Sequence, residues 1–265
     1  MTVSVAFEKA RGEGRAALVG YLPAGFPTVE GGIEAIRTLA GSGVDLIEIG
    51  YPYSDPVIDG PVIQRASEIA LRHGVRGADV IRTVAAVADA GVPLVVMTYW
   101  NLVERYGVAA FARDLASAGG SGLITPDLIP EEADEWLAAS DEHGLDRVFL
   151  VAPSSTDARI RSTVAACRGF VYAASVMGVT GARAVTSSAA PALVARVRAV
   201  AGTLPVGVGL GVRDGAQAAE VGAFADGVIV GSALVACLLD APDLESGLAA
   251  LRTLTTDLAA GVRRR

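Results

Sequence analysis

Val44-Asp-Leu-Ile-Glu-Ile-Gly-Tyr-Pro-Tyr-Ser-Asp-Pro-Val-Ile-Asp-Gly-Pro61 reads as one β/α unit: an apolar run, a Pro/Gly-rich loop and a proline entering a helix. Its apolar run is nearly continuous rather than alternating, as in strands covered on both faces. Seven similar runs are spaced along the chain: Ala17–Tyr21, Pro93–Thr98, Gly122–Thr125, Arg147–Ala152, Phe170–Ala174, Pro205–Gly209 and Gly227–Val230. Between them lie amphipathic stretches such as 29–40, 103–118, 131–142 and 191–201. Eight strands alternating with helices predict an α/β fold, a closed (β/α)8 barrel of the TIM type, more than an open sheet. A short helix over 4–11 would plug the bottom. Residues 61–90 are too long for one helix and are broken at Gly74 and Gly77, so an extra helix follows strand two, and another short one, 233–238, follows strand eight. No linker or low-complexity tract interrupts the 265 residues, so one domain over 1–265 is expected.

Local signals support the helices. Thr28 is placed to cap the first, Glu131 and Glu132 suit the positive end of theirs, and His143-Gly144 closes it.

Composition narrows the chemistry. The chain is 52% hydrophobic with a mean hydropathy of +0.46, yet no uncharged stretch reaches the ~18–20 residues that span a bilayer. A net charge of −7 argues against nucleic acid. Residues 1–10 lack a secretory pattern, and Cys167 and Cys237 make no disulfide framework, so a cytoplasmic location is expected. Lys9 is the only lysine, the other 21 of 22 basic residues being arginines, and His73 and His143 are the only histidines. Imine chemistry on a barrel lysine, anchoring of pyridoxal phosphate on this chain and a His/Cys zinc site are thereby excluded. Both histidines precede glycines at helix ends and read as structural.

Carboxylates remain. Glu48 lies at the C-terminal end of strand two, where barrel active sites form. With Ile47 and Ile49 facing the helices, it would point into the barrel mouth. An ionised carboxylate there is costly unless paired or held protonated. A buried ion pair with an arginine is the competing reading, and the acidic loop that follows favours catalysis. Asp59, eleven residues on, is its candidate partner, although Asp-Gly-Pro is also ordinary turn chemistry; Asp55 reads as a turn residue. Glycines after three consecutive strands, in Gly178–Gly181, Val206–Val212 and Gly231-Ser232, leave amides open to an anion, with the helix after Ser232 aiming its N-terminus at it. Tyr21 and Tyr99-Trp100-Asn101 either line a pocket or fill the rim.

These residues resemble the α subunit of tryptophan synthase over essentially the whole chain. The match runs through Gly20–Pro27, Glu48–Pro56, Asp59–Gln64, Thr125–Pro130, Gly178–Gly181 and Gly209–Gly211, and Glu48–Gln64 is its most specific part. The resemblance implies retro-aldol cleavage of indole-3-glycerol phosphate to indole and glyceraldehyde 3-phosphate. Glu48 would protonate the indole C3 and take the side-chain hydroxyl proton, and Asp59 would accept the indole N–H. Tyr172 matches a pocket tyrosine, Thr180 a loop residue that closes over Asp59, and Gly181, Gly211, Gly231 and Ser232 the phosphate cradle. Tyr21 and Tyr99 remain candidates for the pocket wall or the rim. Pro52 and Asp55 match the face that docks on a β subunit carrying pyridoxal phosphate, in an α2β2 assembly that takes the indole; this chain itself needs no cofactor or metal. Two rival expectations share these residues: a stand-alone lyase releasing free indole, and a non-catalytic barrel that activates a partner.

Overall fold

In a computed structural model, residues 1–174 and 189–264 are described. The predicted α/β barrel is present: β1 (Ala17–Pro23), β2 (Leu46–Gly50), β3 (Leu94–Met97), β4 (Gly122–Thr125), β5 (Asp146–Val151), β6 (Val171–Ala174), β7 (Val206–Gly209) and β8 (Gly227–Val230) pair in parallel, in sequence order, and β8 closes on β1. Helices α1 (Val3–Gly12) and α2 (Val29–Gly41) flank β1. The extra helix after strand two exists, as α3 (Pro61–Arg72) and α4 (Gly77–Val87). The break falls at Gly74 (φ +81°), whereas Gly77 is the first residue of α4 rather than a breaker.

Two predicted helices differ in detail. The stretch 103–118 is two helices, α5 (Trp100–Tyr106) and α6 (Val108–Ser117), because Gly107 at φ +96° cannot continue a helical turn. The stretch 131–142 starts as a 3-10 turn at Pro130–Glu132 before α7 (Asp134–Glu142). The remaining helices are α8 (Asp157–Ala166), α9 (Ala189–Ala201), α10 (Gly215–Gly222), α11 (Ser232–Leu239) and α12 (Leu244–Gly261). Thr28 caps α2 by accepting from Gly31 N, and His143-Gly144 (φ +65°) closes α7, as their sequence predicts.

The period-2 geometry of each strand sorts its side chains between two cores. Val19, Leu46, Val95, Ile124, Val148 and Ile229 fill the barrel interior, while Ile47, Ile49 and Val96 face the helices. Each fully buried aliphatic contributes about 1.5–3 kcal/mol. Helix α1 stoppers the bottom: Phe7 stacks on Phe170 at a centroid distance of 5.2 Å, and the amide of Val3 donates to the buried Asp146 at 2.8 Å. Beside it Arg15 forks onto Asp45 (2.6 and 2.8 Å), whose carboxylate also accepts from Leu18 N. These charges buried at this end are thus paired.

Candidate active site

Glu48 stands one layer above Leu46 on the interior face of β2, in register with Tyr21 of β1 and Val95 of β3. It is 1% exposed. Its Oε1 has no hydrogen-bond partner, and among the described residues no arginine pairs with it. Burial alone pushes its carboxyl up to about 8. Among the described residues the ion-pair reading finds no partner for this group, and burial favours its neutral form near pH 7.

Asp59 lies in the loop after β2, half-buried. It does not cap α3, whose N-cap is Gly60 and lacks a side-chain cap. Burial raises its carboxyl to about 6, with the Tyr99 hydroxyl acting in the opposite direction. Tyr21 and Tyr172 lie within electrostatic reach of both carboxyls. Burial and the charges of Asp59 and Glu48 hold the Tyr21 hydroxyl well above its ordinary range, and burial with Glu48 and Asp59 does the same to Tyr172 on β6.

Two glycines let those phenols in. A Cβ on Gly50 would sit 2.2 Å from the Tyr21 hydroxyl, and one on Gly209 would sit 2.6 Å from that of Tyr172. Tyr21 also joins the acids to the candidate anion site, since a Cβ on Gly231 would touch its ring at 3.4 Å and Ile63 at 3.6 Å. Gly231 is the N-cap of α11 and Ser232, 7% exposed, is its first residue. That N-terminus, carrying no side-chain cap, faces the same end of the barrel as Gly211, which turns at φ +68° beyond β7. Helix dipole and exposed amides there favour an anion. Gly178–Gly181, with Thr180 and Gly181, lies outside the described residues.

Pro52 is buried in the loop after β2, and Asp55 is exposed, accepting from Ser54 Oγ at 2.5 Å. Val57 of the same loop is 69% exposed and Ile129, beyond β4, 37%. The mouth thus carries apolar surface beside the acidic pocket.

Sequence reasoning did not single out Asp127 or Tyr53 at this corner, although it named Asn101. Asp127 accepts from Trp100 N with both oxygens (2.9 and 3.1 Å), Tyr53 stacks on Tyr99 at 4.8 Å, and Asn101 Nδ2 donates to the Tyr53 hydroxyl at 3.1 Å. Asp127 sits in the recognised Thr125–Pro130 motif, which was the available signal; the other two contacts join loops some 48 residues apart and leave no local trace.

Comparison with known proteins agrees with this geometry. A family profile described as tryptophan synthase alpha chain matches residues 7–263. The chain is 70% identical over 261 residues to a tryptophan synthase alpha chain from Salinispora arenicola, covering 98% of this chain and 97% of that one. Among solved structures it is similar to a tryptophan synthase chain of Mycobacterium tuberculosis (TM-score 0.93, 62% identity, 98% of both chains). A tryptophan synthase alpha chain of Legionella pneumophila superposes with a TM-score of 0.89 at 32% identity, covering 99% of this chain and 97% of that one.

Proposed function

The chain belongs to the tryptophan synthase alpha chain family and is a lyase that cleaves indole-3-glycerol phosphate to indole and glyceraldehyde 3-phosphate, and we propose that Glu48 and Asp59 carry out this cleavage. The observation supporting those roles is the unpaired, desolvated Glu48 in the same pocket as a more solvated Asp59. Two carboxyls whose environments push them up to different heights divide the work of acid and base.

At neutral pH Glu48 holds its proton and Asp59 has lost its own. Glu48 gives its proton to C3 of the indole, making an indoleninium cation. Asp59 accepts the ring N–H and stabilises the positive charge that develops there. The Glu48 carboxylate, now a strong base in a dry site, takes the proton of the adjacent side-chain hydroxyl. As that O–H breaks, a C=O forms, the C–C bond opens and its electron pair returns to the indole. Glu48 ends protonated, ready for another cycle. No imine is required, because the protonated heteroaromatic ring is the electron sink.

Tyr172 and Tyr21 wall the ring pocket, with Tyr99 at its loop edge. Gly211, Gly231 and Ser232 would hold the phosphate by backbone amides, with Gly181 as a further wall and Thr180 closing over Asp59. The family implies a β-subunit partner. The loop with Pro52, Asp55 and the exposed Val57 is our candidate for the docking face, in an α2β2 complex whose pyridoxal phosphate belongs to the β subunit. We further read 1–265 as one domain and the protein as cytoplasmic; among the described residues no helix is long and apolar enough to cross a membrane.

Incubating the purified chain with indole-3-glycerol phosphate and following indole, with and without a β subunit, tests this reading. Cleavage is expected in both cases and faster with the partner. No indole in either would overturn it.

A further inference from the structure

We propose that Tyr99 is the positioning residue of this site: its hydroxyl fastens the loop that carries Asp59 and directs its own proton onto the Asp59 carboxylate, fixing that group where the substrate's ring N–H arrives. The inference rests on the assignment of Asp59 in the preceding subsection.

A phenol oxygen has two lone pairs and one hydrogen. Here the amides of Val57 and Ile58 donate to it at 3.0 and 3.1 Å, which occupies both lone pairs. The hydrogen is left to donate, and the Asp59 carboxylate, whose ionisation the Tyr99 hydroxyl favours, is the acceptor we assign to it. One oxygen therefore gathers residues 57 and 58, the two that precede Asp59. The main chain of Asp59 is held from the other side, its carbonyl accepting from Gln64 Nε2 at 2.8 Å. Tyr99 is itself immobilised: it is 6% exposed, Asp127 holds the amide of the next residue, and the Tyr53 ring packs on its own. Two amide dipoles on the oxygen polarise its O–H bond and strengthen its donation to an anion.

The protonation states agree with this geometry. Burial holds the Tyr99 hydroxyl up at about 12, so it remains a donor wherever Asp59 is ionised. Besides Tyr99, the titratable groups in electrostatic reach of Asp59 are Tyr21 of β1 and Tyr172 of β6; Asp127, beyond β4, acts on Tyr99. Glu48 of β2 shares the pocket through the same two tyrosines. Among the described residues, the Tyr99 hydroxyl is the group that opposes the burial of Asp59.

The test is the pH dependence of indole-3-glycerol phosphate cleavage by wild type and Tyr99→Phe, each mixed with a tryptophan synthase β subunit. Loss of a donor to a carboxylate shifts its protonation equilibrium by about ten-fold or more. The acid limb of kcat/KM is therefore expected about one pH unit higher in Tyr99→Phe, with kcat falling more than KM rises. In an Asp59→Asn background the same substitution should cost far less than in wild type. An unmoved acid limb, or an equal fold loss in both backgrounds, would overturn the proposal. Amide hydrogen exchange in unmodified protein provides a check independent of any variant: the Val57 and Ile58 amides should be protected, and free exchange of both would also refute it. Absence of cleavage by wild type would instead refute the functional reading on which it rests.

Discussion

Replacing Glu48 with glutamine should abolish turnover and stabilise the fold at the same time. The carboxyl ordinarily titrates at 4.5 but is held up to about 8 by burial in the native barrel. Below pH 4.5 it is protonated in folded and unfolded chain alike, and its ionisation contributes nothing. As pH rises above 4.5 the unfolded chain releases this proton and the folded one keeps it. Wild-type stability is therefore drained progressively until about pH 8, where the native carboxyl ionises too and the loss levels off. Each pH unit in that window corresponds to about 1.4 kcal/mol, which makes about 3 kcal/mol at pH 7. Glutamine has nearly the same shape and polarity as the protonated acid and never ionises, so it escapes this loss. At about 2–4 °C per kcal/mol for a chain of this size, Glu48→Gln should melt about 10 °C above wild type at pH 7 and level with it near pH 4. Turnover of indole-3-glycerol phosphate should fall by about 10²–10⁴-fold, the contribution of a general acid/base. Thermal or denaturant unfolding of both proteins from pH 4 to 8.5, with indole release on the same samples, measures each quantity. A stability difference that stays constant across that range would refute the burial argument. Undiminished turnover would move the proton chemistry to another group.

Three further outcomes are expected. The kcat/KM profile of wild type should be bell-shaped, rising as Asp59 ionises near pH 6 and falling as Glu48 ionises near pH 8; a flat profile from pH 5 to 9 would contradict both assignments. Gly209→Ala brings a methyl group within 2.6 Å of the Tyr172 hydroxyl and should cost about 1–3 kcal/mol in denaturant unfolding, partly recovered by adding Tyr172→Phe. If the second change recovers nothing, the close approach is not the cause. Asp45→Ala leaves the buried Arg15 with Glu13 as its remaining ionic partner and its two terminal nitrogens without theirs, and should cost about 1–3 kcal/mol, leaving kcat of the folded enzyme near wild type; a large fall in kcat would show the two ends to be coupled.

The strands were legible because burial on both faces demands near-continuous apolar runs, and eight of these pair in the predicted order. The inward direction of Glu48 was equally readable, since period-2 geometry turns it away from Ile47 and Ile49. Helix interiors were less so. Residues 103–118 keep an apolar periodicity across Gly107, and only the backbone at φ +96° shows two helices there. The turn reading of Asp59 was open in the sequence because Asp-Gly-Pro suits a cap; the structure assigns the cap position to Gly60, and burial raises the Asp59 carboxyl.

By itself the sequence determined the barrel, the absence of lysine chemistry and which acids stand at the strand ends, because composition and periodicity are local properties of the chain. Tertiary structure decided what those acids are. Whether Glu48 would meet an arginine, and whether Asp59 would face water or a phenol from the loop after β3, 40 residues away, depends on contacts that closure of the sheet creates. Burial and hydrogen-bond partners set the proton affinity of a carboxyl, and both are properties of the folded barrel.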